Sequence, residues 1–144
     1  MLENIKQIIR HNDLAVLATC LEDRPHCSLM AYISNQECTL VHMLTLKDSR
    51  KFFNISRNPQ VSLLIDTRLM EKTRKQVQAL TISGTCSRAP GREEPGLKNE
   101  LLQRHPQLQD LASQEAAVVL QVRVASFLLL TGVSSPYFID VSGS

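Results

Sequence analysis

The stretch that most constrains this chain is LVHMLTLKDSRKFFNISRNPQVSLLID, residues 40–66. It reads as a strand ending at Thr45, a cationic turn, a short helix over 49–57, an Asn58-Pro59 break and a second strand over 61–66. Pro59 pushes the residue before it out of helical geometry, which places the helix end. The turn delivers Lys47, Ser49, Arg50 and Lys51 to the start of the helix. Backbone N–H groups without helical partners and the positive end of the helix dipole already favour an anion there. Side-chain cations and a hydroxyl added to that setting suit a phosphate. Ser49 also has the identity of a helix N-cap, a role compatible with phosphate binding. Lys51 and Arg50 also fit the plainer description of solvated helix cations.

The charge distribution points the same way. Residues 41–75 hold eight Lys/Arg against three Asp/Glu, a local charge of +5 in a chain whose total is +2. A nucleic-acid binder more often carries a broad basic face with aromatic side chains for stacking. Here aromatics are 4% and Trp is absent, so a small phosphorylated ligand is the better match. The 144 residues fit one domain, 1–144, with enough apolar content (43%) for a real core. No apolar run approaches the roughly 18–20 residues of a membrane span. The first residues, MLENIKQIIRHND, lack a signal-peptide core, so the expected location is the cytoplasm. Cys20, Cys27, Cys38 and Cys86 show no CxxC spacing, so no metal site is expected and buried free thiols are the simpler reading.

Along the chain, Leu2, Ile5, Ile8 and Ile9 fall at helical spacing, predicting a helix over 2–11 packed on a sheet. Residues 14–21 (LAVLATCL) form a continuous apolar run, expected as a strand covered on both sides. The polar turn Glu22-Asp23-Arg24-Pro25 leads to a second strand over 26–33, making a hairpin. Further strands are expected over 38–44, 61–66, 77–87, 116–130 and 137–141. The Pro/Gly-rich 88–96 is expected to be irregular, 68–75 a charged loop, and 97–113 a polar helical region broken at Pro106. Among histidines, His42 is expected to be satisfied by a neighbour and His105 to be exposed. No Ser/His/Asp or Cys/His grouping has diagnostic spacing for nucleophilic hydrolysis. Six or seven strands joined mostly by short turns close best as an antiparallel β-barrel with peripheral helices, which removes open edges.

The order of these elements resembles the FMN-binding split-barrel family related to pyridoxamine 5′-phosphate oxidase. The resemblance rests on LAVLATCLEDRPHCSLMAYI, on the strand ending His42–Thr45 with Ser49 to Lys51 after it, on the Asn54 to Pro59 helix end, on Val61 to Leu64, and on Gln78 to Gly84. It implies a homodimer with FMN at the subunit interface and a small-molecule substrate or electron donor. Residue by residue, it implies Ser28, Met30, Ala31 and Tyr32 beside the isoalloxazine ring, and Met43, Leu44 and Thr45 along the ribityl chain. It further implies Ser49 and Lys51 on the phosphate with Arg50 or Lys47 assisting, and Gln78 approaching from the other subunit. Met30, Ala31 and Leu44 would make an apolar floor for a flat ring. Met30 and Met43 equally suit core packing. Two features depart from the oxidases themselves: there is no Trp-containing, Arg-rich C-terminal motif, and Ser28 stands near where they place an FMN-contacting Arg. Vitamin B6 oxidation therefore does not follow from the resemblance. The expected function is a flavin-dependent oxidoreductase of unknown substrate, with no catalytic residue indicated. The alternative is a haem- or other ligand-binding protein on the same scaffold, with His42, His105 or a cysteine as axial ligand.

Overall fold

A computed structural model of the chain describes residues 1–68, 77–132 and 134–143. The elements in order are α1 (Leu2–His11), β1 (Leu14–Leu21), β2 (Arg24–Ala31), β3 (Ile33–Ser34), β4 (Leu40–Leu46), α2 (Arg50–Arg57), β5 (Gln60–Asp66), β6 (Gln78–Arg88), α3 (Glu94–Arg104), a 3₁₀ turn (Pro106–Leu108), α4 (Gln109–Ala112), β7 (Ala117–Thr131) and β8 (Ser134–Asp140). Of the expected 68–75 loop, residues 69–75 lie outside the described set. Among the described residues no helix is long and apolar enough to cross a membrane.

Eight antiparallel strands form one sheet in the order β2-β1-β5-β6-β7-β4-β3, with β8 paired to β7. β2 and β3, the two ends of that order, are separated in sequence only by Tyr32. The sheet therefore curls into a barrel whose seam runs where β2 gives way to β3. This is the antiparallel barrel that the strand pattern predicts, in the split form that the family resemblance implies.

Period-two alternation decides what each strand buries. Leu17, Leu63, Ile82, Phe127 and Ile139 stand opposite one another across β1, β5, β6, β7 and β8. The first four of these are buried in the barrel core with Met43, Ile65, Leu80 and Leu120. Ile5, Ile8 and Ile9 of α1 complete the same core. Each such fully buried aliphatic side chain contributes on the order of 1.5–3 kcal/mol. A second cluster, Ile33, Leu44, Ala89, Leu101, Ala117 and Val119, lies on the other face of β4 and the first half of β7. It is covered by Leu97, Leu108, Leu111 and Ala112 of the α3–α4 segment. The apolar run 117–120 is thus buried on both faces, as its sequence requires.

β1 behaves differently from expectation. Its residues alternate between buried and half-exposed, so within one chain it is covered on one side only. Other differences are local. The first hairpin turns through Glu22 and Asp23, both at positive φ, the geometry of a two-residue type I′ turn. β2 accordingly starts at Arg24, and Pro25 is tolerated because β2 is an edge strand. Cys38 sits at positive φ in the turn before β4, so that strand is Leu40–Leu46 and runs two residues later than predicted. Helix α3 begins at Glu94, inside the stretch expected to be irregular, because Pro95 falls in its first turn, where proline is preferred. β8 begins at Ser134, three residues before the strand predicted over 137–141.

The β6–β7 ladder carries one irregularity. Ser83 pairs with Ser126 but Gly84 pairs with Val124, leaving Ala125 as an extra residue. A Cβ on Gly84 would clash with the Arg123 carbonyl oxygen. Gly84→Ala is therefore expected to destabilise the fold by about 1–3 kcal/mol, seen as a lower Tm with retained β-sheet circular dichroism. An unchanged Tm would mean that the bulge absorbs the methyl group by shifting.

Candidate cofactor-binding groove

The strand–turn–helix segment folds as its chemistry requires. β4 ends at Leu46, Ser49 N–H donates to the Leu46 carbonyl at 3.1 Å, and Ser49 caps α2 by accepting from Phe52 N–H at 3.2 Å. The Ser49 and Thr45 hydroxyls share a hydrogen bond of 3.0 Å. Two asparagines fasten α2 to β1: Asn54 Nδ2 donates to Thr19 Oγ1 at 3.1 Å and Asn58 Nδ2 to the Cys20 carbonyl at 3.0 Å. These bonds fasten the C-terminal half and C-cap of α2 to β1, while the Ser49 contacts with Thr45 and Leu46 keep its N-terminus at the end of β4.

Next to this terminus lies a groove of about 290 Å³. One wall is Leu29, Met30 and Ala31 of β2, the other Leu44, Thr45 and Leu46 of β4, with Ser49 and Lys51 at one end and Leu108 and Leu111 beside it. Among the described residues, β2 pairs with β1 alone, and β4 pairs with β3 only through His42 and Val41. The groove therefore occupies the seam between two strand edges that have no ladder partner there. Such edges present backbone donors and acceptors, which suits a flat ligand with polar atoms on its rim. The apolar side chains suit its faces. The hydroxyls and the Lys51 ammonium suit an anionic tail.

The α3–α4 wall is held by a buried carboxylate. Glu94 accepts two hydrogen bonds from the Arg88 guanidinium, at 2.9 and 3.0 Å, and one from Val119 N–H at 3.1 Å. The bidentate Arg88 contact holds the Glu94 carboxyl below its usual range, with the Val119 N–H adding to the effect.

Six of the eleven predicted residues line this groove: Met30, Ala31, Leu44, Thr45, Ser49 and Lys51. The other five lie elsewhere. Met43 is fully buried in the barrel, on the opposite face of β4 from Leu44. Ser28 lies 3.3 Å from His26 Nε2, on the same face of β2 as Met30. Tyr32 is buried, and its hydroxyl donates to the Ile9 carbonyl at 2.6 Å. Arg50 is exposed and faces the β1–β2 turn, in a cleft with Arg24, His26 and Glu22. Gln78 donates through Nε2 to Thr131 Oγ1 at 3.1 Å at the start of β6. Lys47 is exposed and does not line the groove. Four lining residues were not anticipated: Leu29, Leu46, Leu108 and Leu111. The last two were legible as the apolar residues of an otherwise polar segment.

His42 is buried and pairs with Gln121 Oε1 at 3.0 Å, the satisfied strand histidine that was expected. His105, expected to be exposed, is buried, and its Nε2–H donates to the Tyr32 carbonyl at 2.8 Å. Its place beside Pro106 in a polar sequence conceals that the α3 end is packed against the Tyr32 break. Of the cysteines, Cys38 and Cys86 are buried, Cys20 is half-buried and Cys27 is exposed, and all four are free. Burial pushes the Cys86 thiol up to about 12, so it stays protonated.

The curled antiparallel sheet and its seam define a protein of the split-barrel class. The sequence profile described as pyridoxamine 5′-phosphate oxidase matches residues 1–129, and the chain belongs to that family. A pyridoxamine 5′-phosphate oxidase homolog of Schizosaccharomyces pombe is 37% identical over 71 residues, a match spanning 42% of this chain and 36% of the yeast protein. A haem-binding protein of Mycobacterium smegmatis superposes with a TM-score of 0.83 at 17% identity, over 96% of this chain and 57% of its own. A FAD-binding protein of Mesorhizobium loti superposes with a TM-score of 0.73 at 12% identity, over 90% of this chain and 93% of its own. At these identities the likeness to solved structures concerns the fold.

Glu94→Gln tests the support of the groove wall. Because the folded-state pKa of Glu94 is depressed, its contribution is present above its ordinary value of 4.5 and is lost as pH falls through the lower folded-state value. The variant is expected to be less stable by about 1–2 kcal/mol at neutral pH. Chemical denaturation as a function of pH should show the deficit shrinking on the acid side. A deficit independent of pH would assign the loss to packing alone.

Proposed function

We propose that this protein is a homodimeric FMN-binding protein acting as a flavin-dependent oxidoreductase on a small-molecule substrate. The observation that carries this reading is the convergence of Thr45, Ser49 and Lys51 on one end of a groove whose remaining walls are apolar side chains and unpaired strand edges. Ser49 and Lys51 would hold the phosphate by charge-assisted hydrogen bonds, with Thr45 positioned toward the ribityl chain. Leu29, Ala31, Leu44 and Leu111 would exclude water from the ring. The flavin itself supplies hydride or electron transfer, and the chain binds, orients and shields it.

Size and an uncovered face support a second subunit. Small-molecule sites run to about 300–1,000 Å³, so a groove of about 290 Å³ encloses only part of a flavin nucleotide. Leu29 leads a registered row across the outside of the sheet: Leu29, Val16, Leu64, Thr81, Leu128, Phe138. Leu29, Leu64 and Phe138 are 68%, 42% and 63% exposed, with no cover among the described residues. A contiguous apolar face of this kind marks an association surface, and it borders the groove through Leu29.

A second reading, haem binding, draws on relatives such as the Mycobacterium smegmatis protein. Neither His42 nor His105 lines the groove, and both are already committed to hydrogen bonds. Haem would need a different axial ligand in this chain.

The absorbance spectrum of the purified protein, repeated after FMN addition and desalting, tests the first reading. Retained flavin absorbance is expected, and Lys51→Ala should weaken FMN binding roughly 10–100-fold. A Soret band would favour haem instead, and a blank spectrum with no effect of Lys51→Ala would end the flavin reading. Leu64→Glu should convert the dimer to monomer in analytical ultracentrifugation and weaken FMN binding with it. A variant that sediments as the wild type would place any interface elsewhere.

A further inference from the structure

At the α1 end of the barrel, a cavity of about 390 Å³ opens beside Leu2 and Lys6. It exists because of the β7 bulge. Where Ala125 is extra, the strand beside β7 changes from β4 to β8: Leu40 pairs with Arg123, whereas Asp140 pairs with Ser126. Among the described residues single backbone bonds bridge the gap, from Val124 N–H to the Thr39 carbonyl at 3.0 Å and from Val141 N–H to the Ala125 carbonyl at 2.8 Å. The barrel is left unclosed between the start of β4 and the end of β8, and α1 covers the opening only in part.

The depth and the rim of this opening differ in chemistry. Val124 and Phe127 in its lining belong to the buried barrel core, and Leu2 and Val141 pack against that core. At the rim stand Lys6 and Arg123, and neither forms an ion pair among the described residues. One carboxylate, Glu37, shares the rim, so the side chains there leave a surplus of one positive charge. Thr39 Oγ1 accepts from Asn35 Nδ2 at 2.7 Å, which leaves its hydroxyl proton to donate. A barrel mouth with an apolar floor and a few convergent polar groups is a characteristic ligand site.

We infer that this mouth is a second binding site, separate from the β2/β4 groove, for a small amphiphile with one anionic head, a medium-chain carboxylate. The apolar tail lies against Phe127 and Val124, and the carboxylate meets Lys6 and Arg123. The single-charge surplus favours a monoanion over a phosphate dianion, and the volume, near the lower end of ligand pockets, limits the tail to a short chain. No residue lines both this cavity and the groove, so its occupation does not compete with the phosphate end of that site.

The test uses the full chain with octanoate, 1-octanol and octylammonium as probes, by calorimetry and by NMR chemical-shift mapping. One octanoate per chain is expected, bound about tenfold or more tighter than octanol, with shifts centred on Val124 and Phe127. Saturation with FMN should leave octanoate binding unchanged. Lys6→Glu with Arg123→Glu should reverse the preference toward octylammonium, and Arg123→Glu alone, at an exposed position, should weaken octanoate if the double variant fails to fold. Octanoate bound no tighter than octanol, shifts centred on Leu29 and Ala31, displacement by FMN, or indifference to both substitutions would each overturn the assignment.

Discussion

Tyr32 is held from three directions. Its N–H donates to the Asp13 carbonyl at 3.2 Å, its hydroxyl to the Ile9 carbonyl at 2.6 Å, and its own carbonyl accepts from His105 at 2.8 Å. One residue thereby ties the end of α1, the approach to β1 and the end of α3 to the break between β2 and β3. Burial raises the phenol pKa, so the hydroxyl stays a donor across the working pH range. The break is what splits the barrel. Without it β2 would continue along β4, and the strand edges that line the groove would be paired. The groove therefore depends on a residue whose side chain points away from it.

The same economy governs the two faces of β7. Its first half is buried on one side by the barrel core and on the other by the α3–α4 segment, whose Leu108 and Leu111 also line the groove. Glu94 couples the two: it receives Val119 N–H from β7 and Arg88 from β6 while standing at the start of α3. A buried carboxylate is costly unless fully satisfied, and this one takes three donors. Past the bulge β7 loses its helical cover and pairs with β8, and its outward side chains, such as Leu128 and Leu130, join the open face.

The strands were legible in the sequence because apolar runs and turn residues report burial and chain reversal directly. Apolar runs do not report which molecule supplies the cover. The 14–21 run reads as a strand buried on both sides, yet one chain buries only the face carrying Ala15 and Leu17. The placement of site residues was legible to the level of the segment and not of the face. Successive strand residues point to opposite sides, so Leu44 lines the groove while Met43 fills the barrel. Successive helical residues diverge by about 100°, so Lys51 faces the groove and Arg50 turns to the β1–β2 turn. Motif spacing names three cations near the helix start. Geometry directs one of them into the groove.

Proteins named for FAD and for haem share this barrel, so the scaffold does not choose the ligand. The choice lies in what the seam offers. A haem needs an axial donor aimed into the site and room on both sides of a wide ring. The seam here offers two unpaired strand edges, a narrow apolar floor and an anchor for an anion at one end. The anchor is built into the chain's continuity: Thr45 closes a strand, Ser49 opens a helix, and their shared hydrogen bond fixes both hydroxyls beside Lys51 before any ligand arrives. Preorganised polar groups of this kind lower the cost of ordering on binding: the shared bond uses one of the two hydroxyl protons, and the other, with the Lys51 ammonium, is what the proposed phosphate would meet.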